Sequence, residues 1–316
     1  MAGVYCEAFH EGRAVEHALH HCVRSNRRMP AAHQARPLPM PTHNPEIVAR
    51  PHRRLVRMTA AIRPPHHANV SAGFGEKAHP RRDEFFLASK CGCLIEIPAD
   101  AEPPYPHDYS PANVRADVEQ SLRRLRTDRL DLVQVHMSPS VEQLRDNHTV
   151  ETLQELQKEG KVRFIGMSGI MPHLSGHIAM DVFDAFQIPY SAIQRDHEEL
   201  ITAAAATGAG TLIRGGAARG APSEEKNWQA GPLSQPAGLG QRNWAAAGIG
   251  DLLAGSGMTP MEFVLRFTLS HPYLSTTIVG TANPGHLESN IAIAEKGPLP
   301  ADLYAVAKSR LQPADE

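Results

Sequence analysis

The chain has 316 residues and a formal net charge of −2, with a pI near 6.8, which gives no electrostatic grounds for binding nucleic acid or an anionic membrane. No apolar run approaches the ~18 residues a membrane span needs, and the N-terminus lacks the basic-then-apolar layout of a secretory leader. Four cysteines, Cys6, Cys22, Cys91 and Cys93, are too few for a disulfide scaffold, so a reducing cytoplasm is the expected compartment.

In chain order, the first 80 residues differ from the rest. They hold ten of the eighteen histidines, many arginines, and Pro-rich runs such as RPLPMPTHNP. Short helices are conceivable over 11–25 and 53–63, with irregular chain between them. So little apolar surface poorly offsets the entropy of ordering. The expected division is a low-order His/Arg/Pro-rich segment at 1–80 and a β/α barrel domain at 81–312.

From Arg81 on, short apolar strands alternate with amphipathic helices. Strands are predicted at Phe85–Lys90, Leu130–His136, Arg163–Ser168, Ala185–Tyr190, Gly210–Arg214 and Thr276–Gly280. Helices are predicted over Pro111–Arg124, with Val114, Val118, Leu122 and Leu125 three or four apart, and over Val150–Glu159, stopped by Gly160. Less regular ones are expected at Leu174–Asp184, Glu198–Thr207, Pro260–Ser270 and His286–Ala294. Gly215 to Gly257 reads as a long loop with a broken helix. The alternation implies a parallel sheet. The fold class is α/β, a (β/α)8 barrel with six legible βα units. The first two are missing or degraded, leaving edges at the third and eighth strands unless the N-terminal segment covers them.

In a parallel barrel the active site gathers at the C-terminal ends of the strands. Lys90 and His136 end two of them, although 46 positions separate them. A second cluster follows the last strand: Gly280, Thr281, Asn283, His286 and Asn290. A glycine there lets the backbone approach a phosphate, and the next helix offers free N–H groups and a favourable dipole.

The segments DEFFLASKCG, VEQSLRRLRTDRLDLVQVH, ETLQELQKEGKVRFIGMS, FQIPYSAIQR and TIVGTANPGHLESN, in this order and spacing, resemble the aldo-keto reductases over about 81–311. The resemblance implies a barrel that binds NADP(H) without a Rossmann fingerprint and reduces small aldehydes or ketones by hydride transfer. It puts the family's catalytic lysine on Lys90 and its histidine on His136. Ser168 and Gln187 would hold the nicotinamide carboxamide, Tyr190 would stack on the ring, and Arg214 would reach the pyrophosphate. Thr281, Asn283 and His286 would meet the 2′-phosphate and ribose, and Asn290 the adenine. The family's aspartate and tyrosine, which precede the lysine, have no counterpart: no aspartate occurs before Asp83, and the faint echo of the tyrosine loop, SAGFG, offers Phe74. A non-catalytic nicotinamide-nucleotide-binding protein, or an inactive remnant, is therefore the alternative reading. No metal site is expected from His17, His20, His21 and Cys22, which lack a matching second half. Cys91 and Cys93 read as ordinary thiols.

Overall fold

The computed structural model describes residues 3–7, 59–61, 82–84, 86–94, 106–217, 244–280 and 283–311. Eight strands close a barrel in sequence order, and every neighbouring pair is parallel. They are β1 (Gly3–Glu7), β2 (Thr59–Ala61), β3 (Phe86–Cys91), β4 (Leu130–Val135), β5 (Val162–Ser168), β6 (Ala185–Pro189), β7 (Gly210–Arg214) and β8 (Thr276–Gly280).

The expected barrel type is the one observed, and the six legible strands lie within one residue of their expected bounds. The two strand places left empty are filled by β1 and β2. β1 pairs along five residues with β8, from Gly3↔Thr276 to Glu7↔Gly280. β2 pairs over three residues with β3. The helix read over 53–63 is thereby corrected, because Thr59–Ala61 is a strand. The neighbouring strands supply main-chain partners there, and pairing of this kind overrides local helix propensity. The helix read over 11–25, the His17–Cys22 group, Phe74 and most of the 215–257 loop lie outside the described residues.

Nine helices follow among the described residues: α1 (Pro111–Leu125), α2 (Val141–Asp146), α3 (Thr149–Lys158), α4 (Leu174–Ala179), α5 (Glu198–Ala206), α6 (Ile249–Ser256), α7 (Pro260–Leu269), α8 (Pro284–Glu295) and α9 (Ala301–Arg310). The stripe Val114, Val118, Leu122 and Leu125 is buried on α1, whose Ser110 cap accepts the Asn113 N–H. α4 stops five residues short of its expected end. Asp184 instead lies immediately before β6, where its N–H donates to the Ile165 carbonyl at 2.8 Å. α2 and α9 were not read from the sequence. α2 is six residues long and held by a Ser140–Gln143 capping box. α9 buries fully only Ala307, so it carries no apolar stripe.

Successive side chains along a strand point to opposite faces, and the core divides accordingly. Phe86, Ala88, Leu132, Ala185, Leu212 and Ile278 form an inner cluster, with Phe164 packed against it. Leu87, Val133, Val135, Ile165, Met167, Phe186, Ile188, Ile213 and Val279 belong to the larger cluster shared with the helices. The inside of the barrel is thus a small apolar plug, and most of the buried area lies between strands and helices.

At the N-terminal end of β4, Asp131 holds three segments together. Its carboxylate accepts the Leu87 N–H at 2.8 Å and pairs with Arg82 at 2.8 Å and Arg163 at 2.7 Å. Asp131 is buried and Arg82 mostly so, whereas the Arg163 side chain is half exposed. Breaking a buried pair by removing one partner leaves an uncompensated charge, at a typical cost of ~3–5 kcal/mol. Exposed pairs contribute below ~1 kcal/mol. Asp131→Ala should therefore lower the unfolding free energy by several kcal/mol in chemical denaturation, and Arg163→Ala by under about one. Equal losses in the two variants would contradict this division.

Candidate functional site

The face alternation that fills the plug also selects what stands above it. Phe86 and Ala88 face inward, so Lys90 shares their face. Ser89 faces outward, its hydroxyl 2.9 Å from that of Ser121 on α1. Leu132 is inside, so Gln134 is too, and His136 follows two residues later just past the end of β4. The same step of two carries Phe164 to Gly166 and Ser168, Ala185 to Gln187, Leu212 to Arg214, and Ile278 to Gly280. Register ties these ends together: Lys90↔Gln134, Gln134↔Gly166 and Ser168↔Gln187 are paired positions. Lys90, His136, Ser168, Gln187, Arg214 and Gly280 are therefore gathered at one end of the barrel, the end where such folds place their chemistry.

Three inner polar side chains form the floor of this mouth. The Ser168 hydroxyl donates to Gln187 Oε1 at 3.2 Å, and both residues are buried. Gln187 Nε2 and both amide atoms of Gln134 are buried without a hydrogen-bond partner. Orphaned groups of this kind cost about 1–3 kcal/mol each unless a ligand or water satisfies them. Gly166 makes room beside them. A Cβ there would stand 2.8 Å from the Ala185 carbonyl oxygen and 3.1 Å from Gln134 Cγ. A primary carboxamide, with both donor and acceptor atoms, matches what Gln134 and Gln187 lack. Gln134 was missed in the sequence, although a glutamine two residues before His136 in an apolar strand was the available signal.

Tyr190 requires a correction. It was expected to stack on a bound ring, but it lies an odd number of residues from Gln187 and so faces the helices. It is fully buried. Its ring stacks on Phe267 at 6.2 Å and meets His271 edge-on at 5.2 Å, and its hydroxyl lies 3.4 Å from that of Tyr304. Burial pushes the phenol well above its usual range. Tyr190 is a packing residue of the outer layer.

At the end of β8 the chain enters α8, whose cap is Asn283. Its side-chain oxygen accepts the Gly285 N–H at 2.9 Å. His286 is exposed in the first turn, and Asn290 is buried on a later one. Thr281 lies outside the described residues. Arg214 is half-buried at the end of β7, and its carbonyl accepts the Tyr190 N–H at 3.2 Å.

A second group, unseen in the sequence, surrounds His136. Cys93 Sγ lies 3.1 Å from His136 Nδ1 and 3.7 Å from His107 Nε2. The Tyr109 hydroxyl donates to the His136 carbonyl at 2.8 Å. Burial raises this phenol above its ordinary range as well. The Tyr109 ring also lies against Gly92, where φ is +96° and a Cβ would come within 2.5 Å of Tyr109 Cε1. Nothing in the spacing of residues 93, 107 and 136 announces this group. It is made by the turn after β3 meeting the end of β4.

These features define a parallel (β/α)8 barrel with a polar mouth built on six strand ends. The chain belongs to the aldo/keto reductase family, whose model matches residues 68–309. Among curated proteins it is similar to the uncharacterized oxidoreductase YqkF of Bacillus subtilis, 26% identical over 70% of this chain and 72% of that protein. It is also similar to protein tas of Escherichia coli, 30% identical over 57% of this chain and 61% of that one. Among solved structures, the holo form of aldo-keto reductase AKR11C1 from Bacillus halodurans superposes with a TM-score of 0.65 at 24% identity, covering 81% of this chain and 83% of that one. The glycerol dehydrogenase AKR11B4 from Gluconobacter oxydans gives 0.63 at 23% identity, over 81% and 83%. At such identity the structural likeness speaks for the fold.

Buried histidines fasten the loops around the mouth. His177 Nε2 donates to the Pro139 carbonyl at 2.7 Å in the loop after β4, and His197 Nε2 accepts the Met171 N–H at 3.1 Å after β5. Under the outer helices, His271 Nδ1 accepts the Tyr273 N–H. Burial holds all three below the usual value of 6.5. The unfolded chain therefore takes up their protons first on acidification, and stability present above pH 6.5 is lost as pH falls below it. His177→Gln should show a shallower fall of melting temperature with acidification than the parent chain. Identical slopes would mean that His177 does not bind its proton at the expense of the fold.

Proposed function

We propose that this chain is an NADP(H)-dependent oxidoreductase that reduces small aldehydes or ketones, with a proton-delivery side weakened relative to its family. The observation that carries this reading is the set of buried, unpartnered amide atoms of Gln134 and Gln187 beside Ser168. They lie on the inner face that also bears Lys90 and His136. A nicotinamide cofactor, when bound, would supply hydride for the carbonyl carbon. Ser168 and Gln187 would hold its carboxamide, with Gln134 as a further partner. Arg214 and the N-terminus of α8 favour its phosphates, and His286 is the side chain in that first turn available to a 2′-phosphate.

His136 orients the carbonyl, and the Lys90 ammonium stabilises negative charge developing on its oxygen. The family's general acid is absent. β2 ends at Ala61, and the residues from there to Lys90 include no tyrosine, while the first aspartate is Asp83, at the opposite end of β3. Tyr109 is no substitute, since its hydroxyl is committed to the His136 carbonyl. Loss of a general acid typically costs 10²–10⁴-fold in rate. That absence also sustains the second reading, a nicotinamide-nucleotide-binding protein without turnover. For either reading, a small molecule in a reducing cytoplasm is the proposed setting. Among the described residues, no helix is long and apolar enough to cross a membrane.

Oxidation of NADPH with a panel of small aldehydes and ketones separates the readings. Slow turnover that disappears in Lys90→Met supports the reductase. Turnover unchanged in Lys90→Met would remove Lys90 from the mechanism. Binding of NADPH without turnover of any carbonyl would leave the binding protein.

A further inference from the structure

We propose that Cys93, His107 and His136 form a Zn²⁺ site at the mouth of the barrel, with three protein ligands among the described residues. The proposal stands on the placement of three donors and does not depend on the reductase reading. One ligand atom from each residue lies within 4.8 Å of the other two. The Cys93–His136 and Cys93–His107 separations are 3.1 and 3.7 Å. Tetrahedral zinc with its usual bonds to sulfur and nitrogen sets such donors roughly 3.5 Å apart. A thiolate and two imidazoles suit a borderline-soft divalent ion.

The donors are held in place by a surrounding network. Asp117 on α1 accepts the Gly92 N–H at 2.8 Å, at the turn that presents Cys93. Cys93 and His107 face each other across an antiparallel bridge, and Asp108 N donates to Gly92 O at 3.0 Å. Asn113 Nδ2 donates to the carbonyls of Cys93, at 3.1 Å, and Asp108, at 2.7 Å. The Tyr109 ring stacks with His107 at 6.2 Å, while its hydroxyl fixes the His136 main chain. These bonds fix the main chain that presents the three donors, which favours binding of an ion by limiting their movement. Zinc on Nδ1 would leave the ring proton of neutral His136 on Nε2, setting that nitrogen as a donor. The ion would also tie the turn after β3 to the end of β4.

Metal-free protein should be dialysed against Zn²⁺ and its metal content measured, with Co²⁺ as a spectroscopic probe. One Zn²⁺ per chain is expected, together with a thiolate-to-cobalt charge-transfer band and visible bands of tetrahedral intensity. Cys93→Ser should lose the charge-transfer band. His107→Ala, at a half-buried position on the bridge, should keep its circular dichroism and bind Zn²⁺ about tenfold or more weakly. Cys22→Ser controls for the histidine-rich first 80 residues and should bind as the parent does. No bound Zn²⁺, or full binding in both Cys93→Ser and His107→Ala, would overturn the site. If Cys93→Ser does not fold, the result with His107→Ala decides.

Discussion

The pairing of Gly3–Glu7 with Thr276–Gly280 is the constraint on which the rest of the molecule depends. It turns a curved sheet of strands into a closed one. Without it, β8 and β1 would each present a row of unpaired N–H and C=O groups. Closure also fixes which residue of every strand faces the axis, because a slip of one residue would exchange the inner and outer faces. The inner plug and the polar mouth above it are two consequences of that one register. The bond network of β2 is the narrowest part of the ring, with three residues paired to β3 and two to β1.

The distribution of apolar area explains how the chain tolerates a polar interior at one end. The strand–helix layer carries the large side chains, including Phe186, Phe263, Phe267 and Tyr190, all nearly inaccessible to solvent. The plug needs only a few. Gln134, Ser168 and Gln187 can then occupy buried positions whose hydrogen bonds are incompletely met within the chain. Such unmet groups work against folding, and a site that binds a complementary amide recovers that cost on binding. Function and stability therefore draw on separate layers of one sheet.

How much was legible follows from what each feature needs. β3 to β8 could be read because each is a short apolar run bounded by turn residues. Lys90, His136 and Ser168 could be read because they end those runs. β1 and β2 could not, since their pairing comes from strands β8 and β3, distant in sequence, and GVYCE and TAA carry no pattern of their own. Tyr190 was misplaced for want of a parity count: an odd spacing from Gln187 sends it to the helices. Cys93, His107 and Tyr109 join His136 only through the turn after β3. No periodicity records such a meeting, whereas Gln134 was there to be found by stepping back two residues from His136.

The central claim is that inward-facing amides on β4 and β6 form a nicotinamide pocket. Its most direct test is an equilibrium titration with NADPH, followed by cofactor fluorescence, in the parent chain and in Gln187→Leu. The account predicts saturable binding to the parent and binding about tenfold weaker in the variant, equivalent to ~1.4 kcal/mol, with circular dichroism unchanged. No binding to a folded, monodisperse parent, or equal affinity in the two proteins, would contradict it.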